Sequence, residues 1–310
     1  MPPTDPSRRR LLGAAAGWLV AGRALASDAA AATKGLHGRT LADGTRLPVI
    51  GLGTWQAFDI GAAEPGWDDA RSALSGFVDG GGRVVDTSPM YGEAETVIGR
   101  LQDEGGHRER LYLATKIWTR GEESGLAQLA DSHRRLRAPV LDLVQVHNLI
   151  GVAGHLRTLR AAREAGSVRH IGITHYTAAA HEALADWIAR EPLDVVQVNY
   201  SLAEPEADRR LLDFAAARGV GVLANRPLAE GGLIRRTRGH PLPAWAVERG
   251  VASWAQFCLK WVLGHPAVTC ALVGTRNPAY VADNLAAARG WIPDAKEREQ
   301  MRADLAALPG

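Results

Sequence analysis

From residue 36 onward, short runs of β-branched and aliphatic residues alternate with longer stretches in which apolar positions recur every three to four residues. The short runs are Val49–Gly53, Val84–Asp86, Leu111–Lys116, Leu141–His147, Val168–Thr174, Val195–Asn199, Gly221–Asn225 and Ala271–Gly274. They are too short for helices and read as buried strands. The longer stretches, Asp68–Val78, Ala94–Gln102, Leu126–Arg135, Gly154–Glu164, Ala178–Arg190, Glu206–Arg218, Ser253–Leu263 and Ala279–Ala288, carry the period of amphipathic helices. Ahead of the series, Asp43-Gly44 stands between two short runs within Arg39–Leu47, a hairpin signal. Strand–helix alternation predicts parallel βαβ units. Eight of them in about 250 residues predict an α/β fold, a closed (β/α)8 TIM barrel preceded by a short N-terminal β-hairpin. No GxGxxG motif follows an early strand, which argues against an open dinucleotide-binding sheet. No low-complexity linker breaks the series, so residues 36–310 read as one domain.

The first 35 residues follow another pattern. Ser7-Arg8-Arg9-Arg10-Leu11-Leu12 resembles the twin-arginine export motif, an apolar stretch runs from Gly13 to Val20, and Ala24-Leu25-Ala26 offers a small-x-small cleavage site before Ser27. Residues 1–26 therefore read as an export signal and 27–35 as a flexible mature N-terminus, the alternative being a disordered basic extension. The apolar stretch is too short for a stable membrane anchor. This reading brings the twin-arginine export machinery in as a partner and a periplasmic or exported location, reached after folding in the cytoplasm. It also changes how the charge is understood. The whole chain carries +2, but Arg8, Arg9, Arg10 and Arg23 against Asp5 leave the remainder close to −1. That body lacks the clustered positive face that nucleic-acid binding needs. With 46% hydrophobic and 23% charged residues, it is composed as a soluble globular protein with ample core. Cys258 and Cys270 both lie in apolar surroundings and read as buried free thiols. No HxxxH, CxxC or clustered acidic loop offers a metal site.

In a parallel barrel, chemistry gathers at the C-terminal ends of the strands. The polar residues that interrupt the apolar runs fall there: Asp86, Lys116, His147, Thr174-His175, Gln197, Asn199 and Asn225-Arg226. Gly51-Leu52-Gly53-Thr54-Trp55, Val84-Val85-Asp86-Thr87-Ser88-Pro89-Met90-Tyr91-Gly92, Thr115-Lys116-Ile117-Trp118 and Gln145-Val146-His147 together resemble the aldo-keto reductase family. The similarity continues through Ile171-Gly172-Ile173-Thr174, Val196-Gln197-Val198-Asn199-Tyr200 and Gly274-Thr275-Arg276-Asn277-Pro278 with Asp283-Asn284, and so covers roughly residues 36–290. The chemistry can be stated on its own terms. Hydride delivered to a carbonyl carbon leaves an alkoxide that needs a proton. A phenol of pKa about 10 is a poor acid at neutral pH, and an adjacent ammonium lowers that pKa and stabilises developing charge. The resemblance implies Tyr91 as proton donor, Lys116 as that ammonium, Asp86 as its anchor, and a neutral His147 that orients the carbonyl. It also implies Trp55 and Trp118 as walls of the substrate pocket. Trp187, Trp245, Trp254 and Trp261 fall in helical patterns and read as packing residues.

The same resemblance implies a nicotinamide nucleotide as cofactor. Thr174 and Gln197 match positions that hydrogen-bond the nicotinamide, and Thr54 and Leu228 belong to the same cofactor-binding set. Asn225 stands where many members place a stacking tyrosine, so stacking cannot come from that residue; Arg226 beside it offers a reach to the pyrophosphate. Gly274, Thr275 and Arg276 resemble the grip on the adenosine phosphate, with Asp283 and Asn284 directed to the adenine. Arg276 suits a 2′-phosphate and favours NADPH. A lysine usual at Gly274 is missing and Tyr280 replaces a frequent arginine, so NADH stays open. The leading expectation is an enzyme reducing a small-molecule aldehyde or ketone. Two others stand beside it: a nicotinamide-binding sensor or accessory protein with little turnover, and a Schiff-base aldolase using Lys116.

Overall fold

The computed structural model describes residues 35–61 and 65–309. The export-signal reading of residues 1–26 lies outside them, as does most of the segment 27–35. Within the described chain, β1 (Gly38–Thr40) and β2 (Arg46–Pro48) form the expected antiparallel hairpin. Eight parallel strands follow: β3 (Ile50–Gly53), β4 (Val84–Asp86), β5 (Tyr112–Ile117), β6 (Leu141–His147), β7 (Val168–His175), β8 (Val195–Asn199), β9 (Gly221–Asn225) and β10 (Val268–Gly274). They close in sequence order, β10 pairing back onto β3, so the barrel expected from the alternating pattern is the barrel observed.

Most residues in these strands are apolar and nearly all are buried, on both faces, as a barrel sheathed in helices requires. The helices between them are α1 (Trp67–Asp79), α2 (Ala94–Glu104), α3 (Glu122–Arg135), α4 (Val152–Glu164), α5 (His181–Arg190), α6 (Leu211–Ala217), α7 (Gly232–Arg236), α8 (Ala244–Glu248), α9 (Trp254–Leu263), α10 (Pro278–Ala286) and α11 (Ala295–Ala306). The expected helix over 178–190 divides into a 3₁₀ turn and α5, and that over 206–218 into a 3₁₀ turn and α6. Trp261 is buried, and Trp187, Trp245 and Trp254 pack against the core, as their helical positions predict. Cys258 and Cys270 are free and buried.

The hairpin plugs one end. Leu41 and Leu47 pack with Tyr112, Leu143, Leu223 and Cys270 in a separate apolar cluster. Asp43 from the turn accepts from His170 Nε2 at 2.9 Å, and the Tyr112 hydroxyl lies 3.0 Å from His170 Nδ1. With this end sealed, chemistry is left to the opposite mouth. Among the described residues, no helix is long and apolar enough to cross a membrane.

Helix α2, which follows Tyr91, is packed closely against the end of α3. A Cβ at Gly99 would lie 2.0 Å from the Arg135 carbonyl oxygen. Alanine is about 1 kcal/mol better than glycine in a helix interior, but overpacking against rigid backbone costs about 1–3 kcal/mol. Gly99→Ala is therefore expected to lower the chemical-denaturation midpoint. A rise in that midpoint would show that this contact is not as tight as described.

Candidate active site

Strand register brings the polar strand ends to one rim. Asp86 pairs with Gly53 and Ala114, Lys116 with Gln145, His147 with Thr174, Thr174 with Gln197, and Asn199 with Asn225. The backbone is strained at the same rim. Among the described residues, Gln56, Asn148, Leu149, Arg226, Ala229 and Glu230 follow strand ends with left-handed φ, and Arg137 alone of the non-glycine residues does so elsewhere. Such conformations cost of order 1–3 kcal/mol each and cluster where function requires them.

At the centre, Lys116 Nζ donates to Asp86 Oδ2 at 2.7 Å and to the Thr87 carbonyl at 2.8 Å. The other carboxylate oxygen, Oδ1, accepts from Gln197 Nε2 at 2.9 Å and Gln145 Nε2 at 3.3 Å. The lysine side chain is wholly buried. Burial works against its charge, but Asp86 and then Tyr91 outweigh it and hold its pKa above the ordinary lysine value. A buried, charged ammonium is a poor amine nucleophile, which weighs against Schiff-base chemistry at Lys116.

Tyr91 stands in the turn between β4 and α2, its ring 4.9 Å from Lys116 Nζ and edge-on to His147 at 6.2 Å between centroids. The expectation that Lys116 lowers the phenol's pKa survives only as one contribution. Burial raises it more, Asp86 adds to the rise, and the net displacement is upward. The phenol is thus held protonated beside a fixed positive charge. His147 is pushed the other way: burial, then Lys116 and His175, bring its pKa down to about 3, so it is neutral as expected. Its Nδ1 lies 3.5 Å from Ser88 Oγ, and Trp118 tilts against its ring at 6.4 Å. Trp55 and Trp118 are exposed at the rim, and Met90 and Tyr176, not foreseen from the sequence, are exposed large side chains there as well.

The cofactor candidates are distributed as follows. Thr54 and Thr174 are buried, and Thr174 Oγ1 donates to Gln197 Oε1 at 3.1 Å. Gln197 thereby serves the ion pair, a role its strand-end position alone did not disclose. Asn225 Nδ2 lies 3.5 Å from the His175 carbonyl, while its buried Oδ1 has no partner. Arg226 is held by Glu204 at 3.3 Å, Glu230 at 3.1 Å and the Tyr176 carbonyl at 3.1 Å. Leu228 packs half-buried on the core. Gly274 and Thr275 lead into α10, which is capped by Asn277 and started by Pro278. Arg276 donates across to the Ala57 carbonyl at 3.1 Å. Asp283 accepts from Ser253 Oγ and Gln256 Nε2, each at 2.6 Å, and Asn284 is buried. Gln145 was missed as a site residue. It stands two positions before His147 on β6, and the two-residue alternation of a strand puts both on the inner face.

The mouth thus offers a proton held beside a fixed charge, with a neutral imidazole and aromatic walls around it, which places the protein among TIM-barrel reductases. The Aldo/keto reductase family model matches residues 49–296, and the chain belongs to that family. It is 25% identical over 302 residues to Aldo-keto reductase YhdN of Bacillus subtilis, spanning 83% of this chain and 89% of that protein. It is 25% identical over 226 residues to Methylglyoxal reductase DkgB of Salmonella typhimurium, spanning 71% and 79%. Two crystal structures of aldo/keto reductase from Klebsiella pneumoniae share the fold. One, in complex with NADP and acetate, gives a TM-score of 0.73 at 27% identity, covering 86% of this chain and 94% of that one. The other, in complex with NADPH, gives 0.74 at 26%, covering 87% and 95%.

The His147 shift has a defined pH consequence. Its folded pKa, about 3, lies below its usual 6.5. The unfolded chain therefore binds the proton first, and stability falls as pH drops from about 6.5 toward about 3. Imidazole NMR should show His147 neutral down to that range, and His147→Gln should flatten this part of the stability curve. A His147 titrating near 6.5 would contradict the assignment.

Proposed function

We propose that the protein reduces aldehyde or ketone groups of small molecules to alcohols, with NADPH as hydride source and Tyr91 as proton donor. The observation that carries this reading is the Tyr91 phenol at 4.9 Å from a buried Lys116 ammonium that Asp86 holds at 2.7 Å. Family membership supports the reaction, and the Klebsiella pneumoniae proteins solved with NADP or NADPH support the nucleotide.

The residues at the mouth fit a nicotinamide nucleotide. Thr54 Oγ1, Asn148 Oδ1 and Asn225 Oδ1 are buried and without partners, and such atoms are costly unless a ligand or water satisfies them. Thr54, Thr174, Gln197 and Asn225 would hold the nicotinamide end, Arg226 and Leu228 the middle, and Gly274, Thr275, Arg276, Asp283 and Asn284 the adenosine end. When bound, the nucleotide supplies a hydride to the carbonyl carbon. Tyr91 holds the proton at its hydroxyl and releases it to the carbonyl oxygen as negative charge builds there. Lys116, already charged, stabilises that charge without having to reorganise. His147 donates one ring N–H to the same oxygen and so fixes the substrate's orientation. Trp55 and Trp118 wall the site against water and favour carbonyls attached to apolar groups. Arg276 gives the 2′-phosphate a planar partner and thereby favours NADPH over NADH. For Arg276, engagement means exchanging the Ala57 carbonyl for a phosphate.

The sequence of residues 1–26 further supports export by the twin-arginine route, which carries folded proteins and so allows the nucleotide to travel bound into the periplasm. Mass spectrometry of protein recovered from that compartment should find a chain starting at Ser27 with nucleotide retained. A full-length cytoplasmic chain would overturn this location. For the reaction itself, Tyr91→Phe should lower carbonyl reduction by roughly 10²–10⁴-fold while leaving NADPH affinity nearly unchanged. A Tyr91→Phe enzyme with near wild-type turnover would overturn Tyr91 as the donor.

A further inference from the structure

Glu95 is the second residue of α2, four positions beyond Tyr91, and it is fully buried. The proton-delivery set makes no use of it. Its Oε1 accepts from Thr115 Oγ1 at 2.6 Å, and Thr115 immediately precedes Lys116 on β5. Alternation along the strand turns Lys116 into the barrel and Thr115 outward to the helix layer. The carboxyl therefore ties the first turn after Tyr91 to the strand that carries the ammonium. Burial raises the Glu95 pKa, against the pull of the Thr115 hydroxyl, Arg135 and Lys116, and so favours the neutral acid. An apolar side chain would fill the same volume without this desolvation cost, so packing alone does not account for a carboxyl here.

The opposite side of the turn is also held. Asp59, from the loop after β3, accepts from the Glu93 backbone N–H at 3.0 Å. Glu93 is the N-cap of α2 and provides no side-chain cap of its own, and Asp59 anchors its backbone N–H from another part of the chain. Between Tyr91 and Glu93, Gly92 is left-handed at φ 58°, and a Cβ there would lie 2.1 Å from Asp59 Oδ1. The turn is closed internally by Tyr91 N–H to the Ser88 carbonyl at 3.0 Å and Ala94 N–H to the Tyr91 carbonyl at 3.1 Å.

We propose that Glu95 is a positioning residue for the proton donor: it holds the Tyr91 turn in register with the Lys116 strand, while Asp59 steadies that turn from the other side. This rests on Tyr91 being the donor. Its importance follows from the sensitivity of proton delivery to geometry, since a misplacement of about 1 Å can cost about 10²-fold in rate.

The test uses the full-length protein loaded with NADPH and para-nitrobenzaldehyde as probe, following single-turnover NADPH oxidation by stopped flow. NADPH affinity and thermal unfolding are measured on the same samples. Glu95→Leu should slow the single turnover by roughly 10- to 100-fold with little change in NADPH affinity. Glu95→Gln, whose amide oxygen still accepts from Thr115, should recover most of the rate. Should Glu95→Leu fail to fold, Thr115→Val removes the donor while leaving Glu95 in place, and is expected to show the same loss. A folded Glu95→Leu or Thr115→Val that reacts at the wild-type rate overturns the proposal, as does a Glu95→Gln as slow as Glu95→Leu. A wild-type protein inert toward the aldehyde, or a Tyr91→Phe as fast as wild type, would instead overturn the reductase reading on which it rests.

Discussion

Taking an ammonium and a carboxylate out of water costs several kcal/mol per ion, and their attraction repays it only when the geometry is good and the remaining hydrogen-bonding capacity is filled. The Lys116–Asp86 pair meets that condition at the centre of this barrel. One carboxylate oxygen takes the lysine; the other takes the amides of Gln145 and Gln197. The Thr87 carbonyl takes a further lysine hydrogen. Five residues from β4 and the turn after it, β5, β6 and β8 are therefore needed to keep one positive charge in place. The site's other properties depend on that charge. It opposes the burial that raises the Tyr91 pKa, and it adds to the burial that keeps His147 neutral.

Barrel closure is what makes the pair affordable. The hairpin fills one end with Leu41 and Leu47, and the helices cover the outer faces, so the polar groups of the site gather at the far rim. There the left-handed residues Asn148, Leu149, Arg226, Ala229 and Glu230 turn the chain sharply after β6 and β9. Arg226 is fixed by two glutamates, and Arg276 bridges from β10's end to the loop after β3. The rim thus has an order of rigidity: a locked core around Lys116, then side chains whose partners are exposed carboxylates and backbone carbonyls that an anionic ligand can displace.

Much of this was legible in the sequence, and the limits have physical causes. All eight barrel strands were readable because strands buried on both faces are near-continuous apolar runs bounded by polar breaks. Three helices were not. α7 and α8 are five residues each, too short to display a period, and α11 buries only Met301 and Leu305 among otherwise polar residues. Asp86, Lys116 and His147 stood out because polar residues at successive strand ends break the apolar pattern, and Tyr91 stood out through the family resemblance. Gln197 and Arg276 stood out as cofactor candidates, but what they hold inside the protein did not. Gln197 lies 111 positions from Asp86, and Arg276 lies 219 from Ala57. No local signal ties such residues together before the barrel closes. Glu95 was hidden for a different reason: in a helix pattern a glutamate reads as surface, and only packing shows that it is buried. The direction of the Tyr91 shift was also beyond sequence, since burial rather than a neighbouring residue type decides it.

The central claim is that this mouth brings a hydride and a proton together on one carbonyl group. The most direct measurement is isotope transfer. The protein is mixed with excess para-nitrobenzaldehyde and NADPH stereospecifically deuterated at the nicotinamide carbon that donates the hydride, with each face of that carbon labelled in turn, and the alcohol is analysed by mass spectrometry. The account predicts one deuterium at the former carbonyl carbon from one labelled face, in step with nucleotide oxidation. Nucleotide that binds and is recovered unoxidised, with no labelled alcohol from either face, would contradict it.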